Sequence, residues 1–113
     1  MWGFNMLEKE RQALPFAEKS KRWRRGVNFL LGKHSKILSK LPVNQQRTIY
    51  KDLVQACCDH WFGRNVYNVR SARYENGTLS YEMTQGSNYH ILGGTPLKLK
   101  TTAKKKLNTE GMN

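Results

Sequence analysis

Apolar residues recur at helical spacing through the first half of this chain and at every second position further on. From Lys19 to Leu41 the recurring set is Trp23, Val27, Leu30, Leu31, His34, Leu38 and Leu41. That is the i, i+3, i+4, i+7 pattern of one buried helical face. Pro42 biases Leu41 away from helical geometry, so the helix is expected to stop there. Gly26 and Gly32 lie inside the pattern, each costing about 1 kcal/mol relative to Ala. They mark Gly32 as a place for a bend or break.

A second helical pattern opens with Asn44 as an N-cap candidate and repeats through Ile49, Tyr50, Leu53, Val54, Cys57 and Trp61. Ala56 and Phe62 widen its apolar arc, and Gly63 supplies the stop. The short connection from Leu41 predicts a roughly antiparallel pair of helices. Beyond Gly63 the period changes to two. Val66 to Tyr74 and Thr78 to Met83 flank Asn76-Gly77, a strong hairpin signal. Opposing Glu75 with Thr78 pairs Tyr74 with Leu79, Ala72 with Tyr81 and Arg70 with Met83 on a mostly apolar face. Arg73 then pairs with Ser80, and Ser71 with Glu82, on a polar one.

Tyr89 to Leu92 and Leu97 to Thr101 read as two further strands around Gly93-Gly94-Thr95-Pro96. Leu7 to Leu14 reads as a short helix before Pro15, within a weakly structured lead-in over residues 1–18. The expected architecture is one α+β domain over 19–101, two antiparallel helices packed on a small antiparallel sheet built around a β-hairpin. Residues 102–113, with Lys104, Lys105 and Lys106, read as a basic disordered tail. A chain of 113 residues can bury a single modest core.

Charge changes this picture more than size does. The chain carries 20 Lys and Arg against 8 Asp and Glu, a net charge of +12. Such a chain repels itself, and a polyanion would relieve the repulsion. Eight of the cations fall between Lys19 and Leu41, which holds no acid. With each helical residue turning about 100°, Arg22, Arg25, Lys33, Lys36 and Lys40 line up within about 80°, roughly 140° from the apolar stripe. Cations spaced along a rigid edge suit phosphates. The candidate contacts are Lys19, Lys21, Arg22, Arg24, Arg25, Lys33, Lys36 and Lys40, with Arg73 on the polar face of the hairpin. Arg70 falls on the mixed face and is expected at the core edge. Trp23 stands between arginines but lies on the apolar stripe, which makes it a core residue rather than a base-stacking one.

No catalytic site is assigned. His34, His60, His90, Asp52, Asp59, Glu75 and Glu82 form no HxxxH, DxD or HxH arrangement, and no Gly-rich loop joins a strand to a helix. Cys57-Cys58-Asp59-His60 offers only the Cys57–His60 pair at ligand spacing, so no metal or cofactor is expected. Adjacent cysteines without framework spacing fit a reducing, cytoplasmic setting. Nothing is apolar for long enough to span a bilayer, and charges interrupt the first 16 residues where a signal peptide would need an apolar run.

The function these features predict is non-enzymatic nucleic-acid binding, DNA ahead of RNA by a small margin, in a transcriptional or replication accessory role. The alternatives are an inhibitor or adaptor docking on an acidic protein, and a small toxin-like ribonuclease, which needs no linear motif.

Overall fold

The computed structural model describes residues 7–75 and 77–89, and the backbone of 105–108. Three helices precede the strands: α1 (Glu8–Ala13), α2 (Phe16–Leu38) and α3 (Val43–Phe62). The strands are β1 (Tyr67–Glu75), β2 (Thr78–Gln85) and β3 (Lys105–Asn108), forming one antiparallel sheet in the order β1-β2-β3. The fold is α+β, with α2 and α3 antiparallel and packed on the sheet.

The longest helix begins three residues before Lys19, because Pro15 in extended geometry stands at its N-cap and its missing N–H costs the first turn nothing. It runs unbroken through Gly26 and Gly32 to Leu38. Packing of its apolar stripe outweighs the two glycines. Trp23, Val27, Leu31 and Leu38 are buried, and Leu30 and Leu41 pack partly against the core. The connection turns at Ser39, and Pro42, not Asn44, precedes the first residue of α3. Tyr50, Val54, Cys57, Cys58, Trp61 and Phe62 are buried along α3, whereas Ala56 is exposed.

Phe62 closes α3 at the centre of the aromatic packing. Its ring lies 5.6 Å from Phe16, 6.4 Å from Trp23 and 5.1 Å from Tyr67, and Trp23 meets Tyr81 edge-on at 5.5 Å. The contact between Trp23 and Tyr81 joins α2 to β2, while Phe62 and Tyr67 join α3 to β1. Burying each large ring contributes about 1.5–3 kcal/mol. The core is therefore tied together across α2, α3, β1 and β2.

The hairpin pairs as its turn dictates. Glu75 opposes Thr78, Tyr74 opposes Leu79, Arg73 opposes Ser80, Ala72 opposes Tyr81 and Ser71 opposes Glu82. Gly77 has φ +74°, the conformation the turn requires; Asn76 lies outside the described residues. The pairing departs from expectation at one place. A β-bulge between Val69 and Ser71 sets Val69, not Arg70, opposite Met83. The bulge inserts one unpaired residue, so Val69 and Ala72 both reach the core while Arg70 is turned out to solvent.

On its other flank β1 meets α3. The Gln55 side chain accepts a hydrogen bond from the Val69 N–H at 2.8 Å and donates one to the Tyr67 carbonyl at 2.9 Å. The loop between α3 and β1 is tied to the end of β2: the Gly86 and Asn88 N–H groups donate to Val66 and Asn65 carbonyls at 2.8 and 2.7 Å.

β3 lies where a solvated tail is expected. Its residues pair Lys105 with Tyr81, Lys106 with Ser80, Leu107 with Leu79 and Asn108 with Thr78. The free flank of β2 offers a row of unpaired backbone groups, and those attract a strand despite the lysines. Residues 90–92 and 97–101, expected as strands, lie outside the described residues, as does His90.

Candidate nucleic-acid interface

The helix ends at Leu38, so Lys40 lies in the turn after it, and the candidate cations of α2 and this turn separate into three groups. Lys19 lies in phase with the apolar stripe, four residues before Trp23, and is only 9% exposed. Burial lowers its ammonium pKa. Arg22 is half-buried: its Nε donates to Glu18 at 3.0 Å, and its guanidinium stands 5.7 Å from the centre of the Trp61 ring. Glu18 precedes the acid-free run by one residue and sits one turn before Arg22, where it pairs on the same helical face.

The third group is exposed: Lys21, Arg24, Arg25, Lys33, Lys36 and Lys40. Among the described residues none of these six forms an ion pair. Burial raises the Tyr81 hydroxyl to about 12, and the charge of Arg24 offsets part of that rise. Phe29 lies four residues from both Arg25 and Lys33 and is 44% exposed, an aromatic ring within the basic row.

A second cationic feature forms between α3 and β1, and sequence reasoning missed half of it. Arg47, Thr48 and Lys51 line one wall of a cleft of about 370 Å³, and Arg70, Ser71, Ala72 and Arg73 line the other. Arg47 and Lys51 are exposed and, among the described residues, have no hydrogen-bonded or ionic partner. Arg70 donates to the Thr84 hydroxyl at 3.2 Å, and Arg73 pairs with Glu75 at 2.6 Å. That pair is exposed at both ends, so it contributes at most about 1 kcal/mol and yields readily to another anion. A smaller cleft of about 130 Å³ adjoins the first. It shares Arg47 and Arg73 with it and is otherwise walled by Val43, Tyr50, Tyr74, Gln46 and Glu75.

The signal for Arg47 and Lys51 was present in the sequence. The acid-free run continues past Leu41 to Lys51, since no carboxylate stands between Glu18 and Asp52. Reading the second helix for its apolar face alone left these two cations out.

The remaining reactive side chains are either buried or apart. Burial pushes Cys57 up to about 12 and raises Cys58 further, so both thiols stay protonated. His60 is held below its ordinary value by burial and by Arg11, whose Nε donates to the His60 carbonyl at 3.1 Å. Among the described residues no three His, Cys, Asp or Glu side chains gather as metal ligands, and no helix is long and apolar enough to cross a membrane. Comparison with family models, with curated proteins and with solved structures found no match.

Proposed function

We propose that this protein binds nucleic acid without transforming it, and that the outer face of α2 contacts the phosphate backbone. The observation that carries the reading is the run Arg25, Lys33 and Lys36 on α2, continued by Lys40 in the turn just beyond it: four exposed cations with, among the described residues, no carboxylate paired to any of them. A face that served only for solubility would interleave acids at i, i+4 spacing, and this one does not. A rigid row of cations is matched by the regular spacing of a duplex backbone, and the net charge of +12 draws the polyanion in from a distance.

Each phosphate neutralised on duplex DNA releases counterions worth about −0.9 in the slope of log K against log salt. The four cations predict a slope of about −3.6, and about −4.5 when Arg22 leaves Glu18 for a fifth phosphate. Neutral replacement of Arg25, Lys33 and Lys36 by Gln should weaken binding to unrelated sequences alike and flatten the slope by about one for each residue. Lys19→Met, by contrast, should leave both affinity and slope unchanged, because that side chain belongs to the core. A triple variant that folds normally and binds DNA and RNA as tightly as the parent would show the reading to be wrong.

A further inference from the structure

The cleft between α3 and β1 differs in kind from the row on α2. The row follows the exposed side of one helix, whereas the cleft gathers cations from two separate elements. Its construction departs from local preference twice. Arg47 and Lys51 stand at i and i+4 on α3, where like charges repel and an opposite pair would be favoured. Arg70 and Arg73 are three apart on β1, and on a regular strand they would face opposite sides of the sheet. The bulge between Val69 and Ser71 removes that opposition, so both arginines line the same cleft. The volume, about 370 Å³, lies at the lower end of the range for small-ligand sites, roughly 300–1,000 Å³.

We propose that this cleft holds single-stranded nucleic acid, with a phosphate between Arg47, Lys51, Arg70 and Arg73 and the adjoining base in the smaller cleft against Tyr74 and Val43. Charge complementarity selects the phosphate: the larger cleft is lined by four cations and no carboxylate. The shared lining by Arg47 and Arg73 makes the two clefts neighbours, as a phosphate and its own base are. The Tyr74 ring, which tilts against Tyr50 at 5.7 Å and is partly exposed, and the exposed Val43 give the smaller cleft an aromatic and apolar lining that suits an unstacked base, which a duplex keeps inside its stack. Arginine forks provide two parallel hydrogen bonds to a phosphate, and lysine adds a point charge. Glu75 lines the smaller cleft and holds Arg73, so an incoming phosphate competes with that carboxylate. The inference rests on the nucleic-acid reading of the chain but uses none of the residues of the α2 row.

The test is fluorescence anisotropy with three labelled probes at matched salt: oligo(dT), an abasic strand of the same length, and a duplex. The parent chain is compared with Arg47→Gln/Lys51→Gln and with Glu75→Gln. The double variant should lose about tenfold on oligo(dT) and flatten its salt slope by up to about 0.7, the value for one phosphate on a single strand. Its duplex binding should stay within about twofold of the parent. Glu75→Gln should tighten oligo(dT), an outcome that damage to the fold could not produce. The abasic strand should bind the parent several-fold more weakly than oligo(dT).

Equal losses on strand and duplex, or no loss on either, would overturn the proposal while leaving the α2 reading intact. Equal affinity of the parent for oligo(dT) and the abasic strand would overturn the assignment of the base. A parent chain that binds none of the probes would overturn both readings together.

Discussion

A methyl group on Gly86 would stand 2.1 Å from the Asn65 carbonyl oxygen and 2.5 Å from its carbonyl carbon. Both are backbone atoms, so no side chain can swing aside to make room. Asn65 itself has φ +60°, and the loop it belongs to is held by the hydrogen bonds from Gly86 and Asn88. Gly86→Ala should therefore destabilise the protein by about 1–3 kcal/mol, as overpacking in a constrained site does. Denaturant unfolding reads this as a lower midpoint at unchanged slope. Nothing in the sequence singled out Gly86, because its neighbour is 21 residues away and the constraint exists only after folding. The same holds for Lys19. Read from Lys19 onward, it begins a cationic run; read from Phe16, it continues a buried stripe. Where the helix starts decides which it is.

At the scale of elements the sequence was more open. The two long helices, their antiparallel pairing and five cross-strand pairs followed from apolar spacing and from Asn76-Gly77. The turn is the point that fixes the register. Gly77→Val should destabilise the hairpin by about 1–2 kcal/mol, because a branched side chain is poorly tolerated at φ +74°. A fall in thermal midpoint of roughly 4–8 °C per kcal/mol is the measurement. An unchanged midpoint would mean that the turn does not set the pairing. The bulge was readable in principle: apolar positions run Tyr67, Val69, then Ala72 and Tyr74, and the step of three breaks the period of two. Strict alternation carried Arg70 across that break to the wrong partner. β3 escaped for a different reason. Lysine-rich residues carry little strand preference of their own, and it is the unfilled flank of β2 that pairs them.

For the whole molecule, composition pointed to a polyanionic partner, and the fold divides the cations unequally. Lys19 goes to the core and Arg22 to Glu18 and Trp61, while Lys21, Arg24, Arg25, Lys33, Lys36 and Lys40 face solvent. The cleft is the part of the candidate site that the sequence hid most fully. It requires α3 to lie beside β1 and the bulge to turn Arg70, and neither juxtaposition is a property of any short stretch. Periodicity reports which way one element faces. It does not report which two elements share a wall.

Gln55 has a consequence for how copies of this chain behave together. Among the described residues β1 is last in the sheet, and its outer backbone groups form a template on which another chain could add a strand. The Gln55 amide occupies the Val69 N–H and the Tyr67 carbonyl as a surrogate strand would, and so caps that template. In free solution the net charge of +12 also keeps copies apart, and the cap is one safeguard of two. On the proposed function, a bound polyanion neutralises that charge and crowds several copies along itself, which leaves the cap as the remaining safeguard at Tyr67 and Val69. Gln55→Leu should therefore stay monomeric at low salt by light scattering, yet form growing, β-rich aggregates when duplex DNA is added. The parent chain should give a complex of fixed size under the same conditions.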